Sequence, residues 1–253
     1  DEARNEILSA KKSAAGLTEV DRIRIDALLA RVSSQPFEER KHLQRLIGLQ
    51  PYRREYTFEL AESYFHTGDV DEAILKYRDA LKLDDRYALA YNHLGYCYAW
   101  KGDHEKALGA LNRYLEIDKS PNAYDSLGDV YMHAGDYAKA LEMKHRAFQG
   151  DPSLYYAQRG MAFINILQGR LAAAGKQLQA EIAAATDDNT KADLYNAVAY
   201  LHYRQRNFAA AHHACDQGLA LVAGSEYDDR VIELTWLKAM ADLETNNLDA
   251  ARA

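Results

Sequence analysis

His212-His213-x-Cys215, with His202 upstream, offers imidazole and thiolate groups of the kind that hold zinc. A closed zinc site wants four ligands, some from a second segment, and adjacent histidines on a helix point about 100° apart. The two rings therefore share an ion poorly, and no metal is expected. Gly169-x5-Gly175-Lys176-Gln177 has the outline of a phosphate loop. It carries one residue too many between the glycines, and Gln177 stands where a Ser or Thr would hold magnesium. It also lies in an expected helix with no strand before it. HExxH, GxSxG and GxGxxG are absent, and no pair of carboxylates is marked by more than its place on a helix. No catalytic residue and no cofactor is assigned, and the chain reads as a binder rather than an enzyme.

The elements that place these residues show themselves as a repeat. Tyr91-x2-Leu94-Gly95-x2-Tyr98, Gly102-Asp103 and Ala107-x3-Leu111 make one unit. Tyr124-x2-Leu127-Gly128-x2-Tyr131, Gly135-Asp136-Tyr137, Ala140-x3-Lys144, Ala147 and Pro152 make another. Upstream, Thr57-x2-Leu60-Ala61-x2-Tyr64, Gly68-Asp69 and Ala73-x3-Tyr77-x2-Ala80 repeat the order. In each unit the apolar positions recur at i, i+3, i+4 and i+7, one face of a helix. Gly95 and Gly128 fall mid-helix, at a cost of roughly 1 kcal/mol each against Ala, which implies close approach of a neighbour. Gly68, Gly102 and Gly135 fall where the chain reverses, and the Asp after each is placed to cap the next helix.

These units resemble the tetratricopeptide repeat family, whose pattern is W-x2-L-G-x2-Y…A-x3-F…P. The resemblance implies an all-α fold, a right-handed solenoid of about six antiparallel helix pairs with partial repeats at both ends. Residues 54–152 match well, 1–53 are degenerate and 153–253 diverge, within one solenoid that reads as a fragment of a larger protein. At the front, Thr18-x2-Asp21 reads as a capping box, Ser34-Gln35-Pro36 opens a helix to Leu49, and residues before Gly16 form a lone second helix. Later, Gly169 marks the fourth turn and Arg206-Asn207-Phe208 the fifth, in a pair running from about Ala192 to Leu221. A last pair starts near Val231, with Asn246-Asn247-Leu248 at its turn and Ala251 after it. Cys215 takes the place of Leu111 and belongs in the core. More than three stacked repeats separate it from Cys97, so the two cannot form a disulfide.

In the family, first-helix side chains pointing away from the second helix line a concave groove that holds a peptide or protein. By register the groove here is Asn92, His93, Tyr96 and Trp100, then Asp125, Asp129, Met132 and His133, then Arg159 and Phe163, then Asn196, Tyr200 and Arg204. In the first well-matched repeat the same register adds Glu55, Phe58, Glu59, Glu62, Phe65 and His66. Aromatics among Asn, Arg and carboxylates are the composition of protein-binding hot spots. The Lys/Asn/Arg clamp by which some relatives hold a peptide's terminal carboxylate is missing. Its positions carry Phe58, Glu62, His93, Asn122 and Ser126, and Glu62 repels a carboxylate. The run from Leu94 to Asp129 looks like repeat regions attached to bacterial serine/threonine kinases, cyclases and winged-helix regulators, which implies a sensor or interaction module. A scaffold or assembly factor is the alternative, and self-association stays open.

Composition narrows the partners. A formal net charge of −7 argues against nucleic acid, whose phosphates need basic surface. No apolar run reaches the ~20 residues of a membrane span. Two cysteines without a bridge favour a reducing compartment, the cytoplasm.

Overall fold

The computed structural model describes residues 2–12, 16–222 and 229–245, and all regular structure among them is α-helical. The chain forms two compact units, Asp1–Lys119 and Ser120–Ala253. In the first, α1 (Glu2–Lys12) lies on α2 (Glu19–Val32), which pairs with α3 (Pro36–Leu49). There α4 (Arg54–Phe65) pairs with α5 (Val70–Leu83), and α6 (Ala88–Trp100) with α7 (His104–Ile117). In the second, α8 (Pro121–His133) pairs with α9 (Tyr137–Gly150), and α10 (Tyr155–Leu167) with α11 (Leu171–Ala184). Next, α12 (Asp188–Arg204) pairs with α13 (Phe208–Leu221), and α14 (Asp229–Glu244) lies on both. The short turns within pairs make them antiparallel. The expected turn Asn246-Asn247-Leu248 and Ala251 fall outside the described residues.

Gly68, Gly102, Gly135 and Gly169 end their helices with φ between +75° and +80°, the left-handed region where a Cβ is strained. The α12–α13 pair keeps this geometry without glycine, since Arg206 has φ 59°. Asp103, Asp136 and Asn207 accept from the backbone N–H of Lys106, Lys139 and Ala210, capping the second helices. Asp69 makes no such bond. Its carboxylate takes the Thr67 hydroxyl and the Arg40 guanidinium, 3.2 Å away, instead. Thr18 and Asp21 form the reciprocal capping box, and α3 opens after Gln35 with Pro36 in its first turn. The α12–α13 pair starts earlier than the apolar pattern alone indicates, because Asp187 accepts from the Thr190 N–H and caps α12 at Asp188.

Small residues let the helices meet. A Cβ on Gly95 would lie 2.5 Å from Leu111 Cγ of the partner helix. The core between α4, α5 and α6 holds Ala61, Ala73, Tyr77, Leu94 and Cys97. In the second unit Cys215 packs with Ala214, Leu234 and Leu237. Both thiols are free, and burial pushes them up, Cys97 to about 12 and Cys215 to about 11.

Candidate binding faces

The first-helix residues of the first unit gather around one carboxylate. Glu62 of α4 accepts the hydroxyl of Tyr77 from α5 and lies 2.8 Å from His93 Nδ1 of α6. Burial alone would raise its pKa, but the bonds from His93 and Tyr77 and the nearby imidazoles outweigh it and hold the carboxyl below its usual range. The Tyr77 phenol is pushed well up by burial and by this acceptor. Phe58 packs on Tyr77, Tyr87 and His93 at centroid distances of 5.5, 5.1 and 5.4 Å. Trp100 stacks on Phe65 at 5.3 Å and yet stays 68% exposed. Tyr96, one turn earlier on α6, is half-buried, whereas Asn92 is buried, with its side-chain oxygen lacking a partner. Asn92 therefore belongs to the packing and not to an open wall.

In the second unit the expected groove residues divide in the same way. Asp125 is buried and Asp129 half-buried, and both bind Lys144 Nζ of α9, at 2.7 and 2.5 Å. The lysine stem runs past two bare backbones, because a Cβ on Gly128 or Gly160 would lie 3.0 or 2.6 Å from its carbons. Burial pushes the Asp125 carboxyl up, Lys144 pulls it down, and the Asp129 charge pushes it up again; the net direction is up. Arg159 of α10 reaches Asp193 of α12 at 3.1 Å, and Arg230 of α14 approaches the same carboxylate at 3.7 Å. Met132 is half-buried and His133 exposed on α8.

Three of the remaining expected residues, Phe163, Asn196 and Tyr200, line an apolar depression of about 340 Å³. Phe163 and Tyr200 form its floor, with ring centroids 5.6 Å apart. Asn196 donates to Glu233 at 3.0 Å on one side, and Arg204 donates to the Tyr200 hydroxyl at 3.3 Å. Ile232, Trp236 and Leu237 of α14 complete the lining, with Trp236 62% and Ile232 60% exposed. Sequence reasoning missed these α14 residues. Glu233 and Leu237 each follow their α12 counterparts, Asn196 and Tyr200, by the same interval, a signal that was available.

Of the residues weighed for metal chemistry, His202, His212 and Cys215 are engaged elsewhere. His212 Nε2 lies 2.9 Å from Asp242, and Cys215 sits in the core. Among the described residues, no three His, Cys, Asp or Glu side chains are placed to hold a metal, and no helix is long and apolar enough to cross a membrane.

A tetratricopeptide repeat model matches residues 40–88 and 58–124. A tetratricopeptide repeat protein from Parabacteroides merdae is similar in structure, with a TM-score of 0.73 at 15% identity over 93% of this chain and 91% of that one. The type IV pilus biogenesis factor PilW gives 0.59 at 19% identity, over 79% and 89%. The Cut9–Hcn1 assembly of the APC/C gives 0.63 at 14%, over 92% of this chain and 48% of that one. Among curated proteins none matches. With the Gly-Asp turns, the small-residue crossings and the successive helix pairs in place, residues 40–124 match tetratricopeptide repeats, and the chain has the all-α fold of the tetratricopeptide repeat proteins it resembles in structure.

Proposed function

We propose that this chain is a protein-binding module that takes a peptide or protein partner on its first-helix faces. The observation that carries this reading is the depression floored by Phe163 and Tyr200, where large apolar rings stay open to solvent beside a fixed polar pair. Aromatic anchors in a concave, largely apolar surface are what hot spots are built from. Trp100, stacked yet exposed, offers a second such anchor in the first unit. The buried and half-buried charges support binding over catalysis, since Lys144 is engaged by Asp125 and Asp129, and Arg159 by Asp193. The module fits the sensor or interaction region of a larger bacterial regulatory protein, on the resemblance carried by the run from Leu94 to Asp129. A scaffold without signalling output is the competing reading. A kinase, cyclase or DNA-binding segment in the same reading frame would favour the first, and a reading frame of repeats alone the second.

Random peptides selected on the immobilised chain, then measured by titration, test the binding reading. Trp100→Ala or Tyr200→Ala is expected to weaken the selected peptides by about tenfold or more, while the melting temperature of the variant at the exposed Trp100 stays within about 2 °C of the native chain. Selected peptides that ignore both changes would remove the first-helix faces as the binding surface.

A further inference from the structure

We infer that the cavity between the α2–α3 turn and α4 takes a basic side chain, arginine or lysine, of the partner. The inference rests on the protein-binding reading and names the chemistry of one subsite. The cavity measures about 530 Å³, within the range of clefts that hold small organic groups. Its walls include Glu39 from α3, Glu59 and Glu62 from α4, the Phe58 ring, His66 and a single full cation, Arg31. Arg31 is already committed. Its Nε lies 2.5 Å from the buried Glu39 carboxylate, which also accepts from Ser63, and its second nitrogen is 3.6 Å from Glu59.

One guanidinium thus serves two carboxylates, and the third, Glu62, leans on Tyr77 and His93. Glu59 feels the shortfall. Burial pushes its carboxyl up, and Arg31 and Arg24 do not bring it back against Glu39 and Glu55. A cation supplied from outside would complete the set and be favoured by the half-buried setting. An anionic group would instead meet three carboxylates. A bare metal ion has no ligand set here, since no three such side chains are suitably grouped among the described residues. A long-stemmed organic cation fits better, because its methylenes can lie along Phe58 while its head reaches the carboxylates. Arginine adds a fork able to serve two oxygens.

The full chain, with glutamate side-chain carboxyls labelled with ¹³C, would be titrated with three acetylated octapeptides of Gly and Leu. They differ only in one central residue: Arg, Gln or Glu. The Arg peptide is expected to move the Glu59 and Glu62 signals saturably and to bind about tenfold tighter than the Gln peptide. Glu59→Gln should erase that preference, and Glu59→Arg should transfer it to the Glu peptide, an outcome that misfolding cannot produce. Equal affinity for all three peptides, with binding still lost in Trp100→Ala, would overturn the basic subsite and leave the binding module standing. A preference for the Glu peptide in the unaltered chain would overturn it as well. No binding by any peptide, selected or synthetic, would remove both readings.

Discussion

Lys144 occupies the register position that Leu111 holds one repeat earlier, and the second unit is adapted to it. Gly128 and Gly160 leave room for its stem, and Asp125 and Asp129 meet its head. Removing the cation leaves two carboxylates facing each other with Asp125 inside the protein. Lys144→Met should therefore cost about 3–5 kcal/mol at pH 7, read from urea unfolding. The folded pKa of Asp125 lies above its ordinary value of 3.8. The folded chain accordingly holds this proton to higher pH than the unfolded chain does. Stability from this group is gained as pH falls through the folded pKa and is complete below the unfolded one. The penalty of Lys144→Met should be smaller near pH 4 than at pH 7, and an equal or larger penalty at pH 4 would contradict the assignment. The register put Asp125 and Asp129 on a groove face turned away from the second helix, whereas both meet Lys144 of α9 and Asp125 is buried. That their charges are answered from α9 depends on how the pair is rotated, which the repeat pattern does not encode.

Glycines that share a helical setting differ in what surrounds them. Gly95 faces Leu111 so closely that a methyl group must displace it, whereas Gly109, exposed on α7, has open space where a Cβ would lie. Gly95→Ala should lose roughly 1–3 kcal/mol by overpacking. Gly109→Ala should gain up to about 1 kcal/mol through helix propensity. Thermal or urea midpoints moving in the same direction for both would refute the distinction. Turns were the most legible elements, because a left-handed residue followed by a cap leaves a chemical mark. Arg206 lost the glycine but kept the conformation, and the Asn207 cap beside it kept the turn readable. Asp69 shows the limit. It has the right residue in the right place, but Arg40, 29 positions earlier in sequence, claims its carboxylate across the packing.

Across the chain, family-level sequence signal and three-dimensional regularity part company. The repeat model matches only residues 40–124, while helix pairs continue to α14. Beyond Pro152 the marker residues thin out, with Ala162 for the crossing glycine and Asn207 for the capping Asp, while Arg170 opens α11 without a side-chain cap. Geometry of that kind survives changes that erase a pattern. The interior of such an array also resists disturbance only locally, since each pair rests on its neighbours.

Cys97 and Cys215 turn this into something measurable. Each unit seals one sulfhydryl, and a maleimide can reach it only when the surrounding helices part. The two rates of alkylation are clocks running side by side in one molecule. Gly95→Ala should quicken the Cys97 clock severalfold and leave the Cys215 clock near its native pace. Matched acceleration of both would mean that the array breathes as a single block.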